Sequence, residues 1–148
     1  AINENLWSEE KQSYVDAMAD YISHDGNLIP LYFGVADENK TKAALDTIKK
    51  ELWTPAGATI LNKRIKDVRK GNVAVSPFMS TFEAELRFMN GQDEDALDLI
   101  HRVWGTMLDR GAHTFWEYLP VEDGAWWDAL CHAWSTGCTY EKCTDCQK

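Results

Sequence analysis

The chain has 148 residues, 45% of them hydrophobic and 26% charged, which suits one packed domain and excludes a disordered segment. No apolar run approaches the roughly 20 residues of a membrane-spanning helix, and no charged-then-apolar leader opens the chain, as expected of a mature or excised protein. Fifteen Lys and Arg oppose 24 Asp and Glu for a net charge of −9, so nucleic acid and anionic membrane are poor partners.

The segment before Asn27 is ambiguous. Trp7, Tyr14 and Tyr21 fit a helical spacing, whereas Ser13-Tyr14-Val15-Asp16 reads equally well as extended chain. Residues 27–36 hold a short apolar run, Leu28 to Phe33, in which Pro30 suits the first turn of a helix. From Glu38 to about Leu52 the spacing of Ala44, Leu45, Ile48 and Leu52 predicts an amphipathic helix that stops before Trp53-Thr54-Pro55. Residues 55–75 read as an exposed loop or a poor helix. Their basic patch, Lys63-Arg64-Ile65-Lys66-Asp67-Val68-Arg69-Lys70, is a solvated face rather than a nucleic-acid site in so acidic a chain.

Ser76-Pro77 marks a sharp helix start, with Ser as cap and Pro in the first turn. That helix is expected to run to about Asn90, stop at Gly91, and present a stripe of Phe78, Phe82, Leu86 and Met89. The next begins at Gln92-Asp93-Glu94-Asp95, with acids in its first turn as the helix dipole prefers, and ends at Gly111. Its stripe is Leu97, Ile100, Trp104, Met107 and Leu108. The pair forms an αα-hairpin. A loop follows to about Gly124, then a last helix over roughly Trp126 to Trp134. No strand alternation is sustained, so the expected class is all-α, an array of α/α-hairpins with five or six helices.

All four Cys, 131, 138, 143 and 146, fall in the last 18 residues. Disulfides, free thiols, and a metal or redox site all remain open, although two separated CxxC knuckles are missing and the redox motif lacks its strand-to-helix context. Cys131 lies in an apolar stretch and also reads as a simple buried thiol. With the glycosylation sequon Asn39-Lys40-Thr41, disulfides lean towards a secreted, extracellular protein. Nothing else points to a metal or cofactor.

Seven Trp is a heavy load, and Trp116, Trp126, Trp127 and Trp134 lie in the last 33 residues. Buried aromatics fill cores, but a cluster beside a carboxylate and a histidine also suits the C–H faces of sugar rings. Gly111-Ala112-His113-Thr114-Phe115-Trp116-Glu117 sets one carboxylate among aromatics after a helix end, and Cys131-His132-Ala133-Trp134-Ser135-Thr136-Gly137 follows. In that setting Glu117 suits general-base work and His132 suits holding a substrate hydroxyl. The plain alternative is an exposed loop acid and a core histidine.

The ordered set of these stretches resembles the C-terminal part of the catalytic domain of α-L-rhamnosidases, inverting glycosidases with an (α/α)6 barrel. Further matching stretches are Leu6-Trp7-Ser8-Glu9-Glu10-Lys11 followed by Tyr14-Val15-Asp16, and His24-Asp25-Gly26-Asn27 running into Leu31-Tyr32-Phe33-Gly34-Val35-Ala36. Val75-Ser76-Pro77-Phe78 with Phe82-Glu83, and Ala96-Leu97-Asp98-Leu99-Ile100 with Trp104-Gly105-Thr106-Met107-Leu108-Asp109, complete it. The resemblance covers residues 1–140 as a partial six-hairpin domain and leaves 141–148 as a Cys-containing tail.

The resemblance implies Glu117 as general base, His132 in contact with an L-rhamnose-type sugar, and Trp116 and Trp134 as walls of the sugar site. Trp126 and Trp127 fall in a connecting loop that varies in the family. The family's general acid lies in an acidic motif that has no counterpart here, because Asp93, Glu94 and Asp95 read as a helix start. A fragment that keeps the base and part of the sugar site is therefore expected to be inactive alone. Twelve helices of about 11 residues with loops of about 5 need roughly 190 residues. The barrel is thus only partial, and apolar stripes should lie exposed where it is cut, inviting the rest of the barrel or a second copy in a homodimer. The alternative reading is a non-catalytic carbohydrate-binding or self-associating helical module.

Overall fold

Asp37 and Ser76 each turn a side-chain oxygen back onto a backbone N–H three residues on, and these two caps start the two longest helices. A computed structural model describes residues 1–17, 19, 21–63, 74–121 and 129–139. The described residues are mostly helical, with six α-helices. They are α1 (Ile2–Asn5), α2 (His24–Tyr32), α3 (Glu38–Leu52), α4 (Pro77–Met89), α5 (Asp93–Ile100) and α6 (Thr106–Asp109).

The helices α3 and α4 fall where the sequence places them, and α3 buries Ala44, Leu45, Ile48 and Leu52 as its spacing requires. Gly91 (φ 69°) makes the turn between α4 and α5, and Gly111 (φ 78°) ends α6. Pro30 departs from expectation. It sits near the end of α2, where its carbonyl accepts from the N–H groups of Val35 and Ala36, and Gly34 (φ 66°) reverses the chain.

The class is mostly helical rather than purely so. Three antiparallel pairs of two-residue strands close the loops: β1 (Trp7–Ser8) with β2 (Ser13–Tyr14), β3 (Trp53–Thr54) with β4 (Gly57–Ala58), and β5 (Ala74–Val75) with β6 (Leu119–Pro120). Two residues are too few for an alternation to be seen in a sequence. The first pair settles the ambiguous N-terminus as extended around Ser13. The predicted last helix is also shifted. Residues 129–132 are extended, and a 3-10 turn spans Ala133–Thr136. Most of the basic patch, Trp126 and Trp127, and the tail with Cys143 and Cys146 lie outside the described residues.

Two apolar clusters form the core, and α4 feeds both. The first gathers Leu28 and Leu31 of α2, the buried face of α3, and Leu86. The second gathers Ala84, Leu99, Val103, Trp104, Met107, Trp116 and Leu119. A π-helical turn, His101–Gly105, joins α5 to α6. Ala96, Leu99, Val103 and Met107 face inward, while Leu97 and Leu108 of the predicted stripe are exposed.

The predicted stripe of α4 is rotated in the same way. Its buried face carries Ser80, Glu83, Ala84 and Arg87, whereas Phe78 and Met89 are exposed. The cause is a polar cluster with no exposure at Glu83 or Arg87. One Glu83 oxygen accepts from the Trp53 indole N–H at 2.8 Å and from Arg87 Nε and Nη2 at 2.8 and 2.7 Å. The other lies 2.7 Å from His24 Nε2. Arg87 continues to the Leu45 carbonyl, Gln92 and Asp95, and stacks 4.8 Å from the Trp53 ring centroid. One carboxylate thus joins α2, α4, α5, the interior of α3 and the strand that follows α3.

Burial pushes the Glu83 carboxyl up, but the hydrogen bond and charge of His24 and the Arg87 guanidinium outweigh it and hold it below its ordinary 4.5. An ionised carboxylate only accepts, so the ring proton facing it belongs to His24 Nε2. Because the folded value lies below the unfolded one, the stabilisation is complete above about pH 4.5 and is lost as the pH falls through the folded value.

Glu83→Gln removes the buried charge that faces the Arg87 guanidinium and is expected to cost about 3–5 kcal/mol in urea unfolding at neutral pH. The gap between native protein and variant narrows below pH 4.5 as Glu83 takes up its proton. A cost under about 1 kcal/mol contradicts the assignment of this cluster as a structural hub.

Candidate functional site

The site region is built from two strips of chain that the core holds side by side. After α6, Gly111 turns the chain and residues 112–118 lead, through bends at His113, Thr114 and Glu117, to β6, which pairs with β5. Residues 129–132 return along that segment. Glu117 N–H donates to the Ala129 carbonyl at 3.0 Å, and His132 N–H donates to the Phe115 carbonyl at 2.7 Å. The Thr114 hydroxyl also donates to the Leu130 carbonyl. The carboxylate motif and the histidine motif, separate in sequence, are therefore neighbours through direct backbone hydrogen bonds.

The 3-10 turn after His132 is fastened to the core from beneath. Ser135 is buried, and its carbonyl accepts from the Trp104 indole N–H at 2.8 Å. Its hydroxyl lies 3.3 Å from His132 Nδ1 and orients the ring, leaving Nε2 for a ligand. Gly137 approaches Thr81 of α4 so closely that a Cβ there would overlap the threonine side chain. Glycine is thus required at that contact for steric reasons, with no positive φ involved.

The four expected site residues divide by burial. Glu117 and His132 are both half-buried. Trp134 is 69% exposed and leans on Phe78, with ring centroids 6.4 Å apart. Trp116 is not a wall open to a sugar. It is only 9% exposed and packs in the second core cluster beneath Glu117. Its size and apolarity make it the anchor that holds the Glu117 segment to the core. The Trp126 and Trp127 positions fall outside the described residues, as do Cys143 and Cys146. Cys131 is an exposed free thiol rather than a buried one.

An open, mainly apolar cleft of about 270 Å³ lies next to these strips, between α6 and residues 112–115. Trp104, Met107, Leu108, His113, Phe115 and Cys138 are among its walls, and neither Glu117 nor His132 lines it. Among the described residues no group of His, Cys, Asp and Glu is placed to hold a metal ion, and no helix is long and apolar enough to cross a membrane.

Sequence reasoning passed over His24, Glu83 and Arg87 as a unit. Glu83 and Arg87 stand four apart on α4, the spacing of an intrahelical ion pair, but two charges on a helix are ordinarily read as its solvated face. Comparison with family models and with curated proteins returned no match.

Gly137→Ala is expected to push the 3-10 turn off α4 and to lower stability by about 1–3 kcal/mol, the usual range for overpacking. Thermal unfolding monitored by circular dichroism checks this. An unchanged midpoint contradicts the close approach of Gly137 and Thr81.

Proposed function

We propose that the chain carries the base half of a glycoside-hydrolase site similar to that of inverting α-L-rhamnosidases, on a partial (α/α)6 barrel. The observation that carries this reading is the pairing of residues 114–117 with 129–132, which joins the segment that carries Glu117 to the segment that carries His132. In such a site the Glu117 carboxylate takes a proton from a water as that water attacks the anomeric carbon, and a second carboxyl group protonates the departing glycosidic oxygen. His132 Nε2 holds a sugar hydroxyl while Ser135 fixes the ring from the other side. Trp134 offers a flat apolar face to the C–H side of a neutral sugar.

An inverting site sets its two carboxyl groups about 6.5–9.5 Å apart, leaving room for the water. The acidic motif that supplies the acid in the family has no counterpart in these 148 residues. The 148-residue chain accordingly binds an L-rhamnose-type sugar and does not turn it over. The exposed tryptophan and the paired strips serve sugar binding whether or not an acid is supplied from elsewhere.

Isothermal titration of the chain with L-rhamnose is expected to show binding that His132→Ala abolishes. Aryl α-L-rhamnosides are expected to remain unhydrolysed. Turnover that disappears in Glu117→Gln contradicts the inactive half-site, and absence of any rhamnose binding contradicts the sugar reading itself.

A further inference from the structure

We propose that an aromatic strip running from Phe33 to Trp134 is the surface on which two copies of this chain associate about a twofold axis. The strip is continuous. Phe33 packs against Tyr32 at 5.5 Å between centroids, Tyr32 against Phe82 at 5.0 Å, Phe82 against Phe78 at 5.2 Å, and Phe78 against Trp134 at 6.4 Å. It crosses the end of α2, the outer face of α4 and the 3-10 turn. It exists because α4 turns Glu83 and Arg87 inward, which leaves Phe78 exposed and Phe82 part-buried between it and the first core cluster.

The strip is wet where it should not be. Phe33 is 70% exposed, Trp134 is 69% exposed and Phe78 is 38% exposed. At 150–250 Å² per aromatic side chain, with smaller contributions from Tyr32 and Phe82, this amounts to roughly 450 Å² of apolar surface. That lies within the range of the largest patch on an ordinary monomer, about 300–600 Å², a patch that is often functional. A standard interface buries about 800 Å² on each partner, somewhat over half of it apolar, which is about 450 Å² as well. The strip therefore supplies the apolar core of one side of a stable dimer.

Its shape favours a like surface as the occupant. The first three ring pairs stand at interplanar angles of 75°, 86° and 86°, in herringbone order. Herringbone rings present edges and grooves, which interdigitate with other rings. A sugar chain needs faces lying flat. The two most exposed rings occupy opposite ends, so a twofold axis through the middle lays Phe33 of each copy near Trp134 of its partner. The net charge of −9 makes two copies repel, so salt should strengthen the association by screening that repulsion. The proposal requires neither Glu117 nor His132, but it shares Trp134 with the proposed sugar site, so a partner copy and a sugar compete for that ring.

Sedimentation velocity over a range of concentrations, at low and high salt, tests it on the full chain. The native protein is expected to pass from monomer to dimer as concentration rises, with a smaller dissociation constant at high salt. Phe33→Ser and Phe78→Ser, both at exposed positions, are each expected to raise that constant by about tenfold or more while leaving the circular dichroism spectrum unchanged. Leu97→Ser, an exposed apolar position on α5 away from the strip, should leave it unchanged. A monomer at every concentration in high salt overturns the proposal, whatever else binds the strip. So does a dimer that Phe33→Ser and Phe78→Ser do not weaken.

Discussion

One buried carboxylate holds this protein's helices in register. Glu83 accepts four hydrogen bonds, from the His24 ring, the Trp53 indole and two nitrogens of Arg87. Its partner Arg87 reaches on to α3 and α5. A carboxylate in an apolar interior is costly to desolvate unless every lone pair is matched. Here the match is nearly complete, and the one loose end is His24 Nδ1, a buried atom with no hydrogen-bond partner. Apolar contacts alone are non-directional and leave helices free to slide. A fork of directed hydrogen bonds is not, so this cluster selects one arrangement of α2, α3, α4 and α5.

The orientation of α4 follows from that cluster, and much of the surface follows from α4. With Glu83 and Arg87 inward, Ala84 reaches the second core cluster and Leu86 the first. Thr81 meets Gly137, and Phe78 supports Trp134. The turn that carries His132 is thus braced from two sides, by α4 and by the Trp104 indole that donates to the Ser135 carbonyl. The paired strips that carry Glu117 and His132 stand on this brace. The core and the proposed sugar site are therefore physically continuous, and both depend on which way α4 faces.

Helix ends were legible in the sequence because their signals are local. Ser76-Pro77, Gly91 and Gly111 each act within a turn of their own position, and α3 shows its buried face in its spacing. Helix faces were less legible. On α4 a stripe of Phe78, Phe82, Leu86 and Met89 outweighs Ser80, Glu83 and Arg87 in any count of hydrophobicity, yet the polar set is fully buried while Phe78 and Met89 are exposed, and only Leu86 of the stripe is buried. The reason lies in His24 and Trp53, which are remote in the chain and complete the hydrogen bonds of Glu83. On α5 the small Ala96 marks the buried face together with Leu99, while the larger Leu97 is exposed. At the candidate site, Glu117 and His132 stood out by motif. The distinction between buried Trp116 and exposed Trp134 required the packing.

The Glu83 cluster couples separate helices rather than decorating one of them. A double-mutant cycle between His24 on α2 and Glu83 on α4 measures that coupling directly, using His24→Leu, Glu83→Gln and the pair in urea unfolding at neutral pH. If the two side chains stabilise the fold through each other, the double variant costs less than the two single variants together, by about 1 kcal/mol or more. Costs that simply add show that His24 and Glu83 act independently and contradict the account.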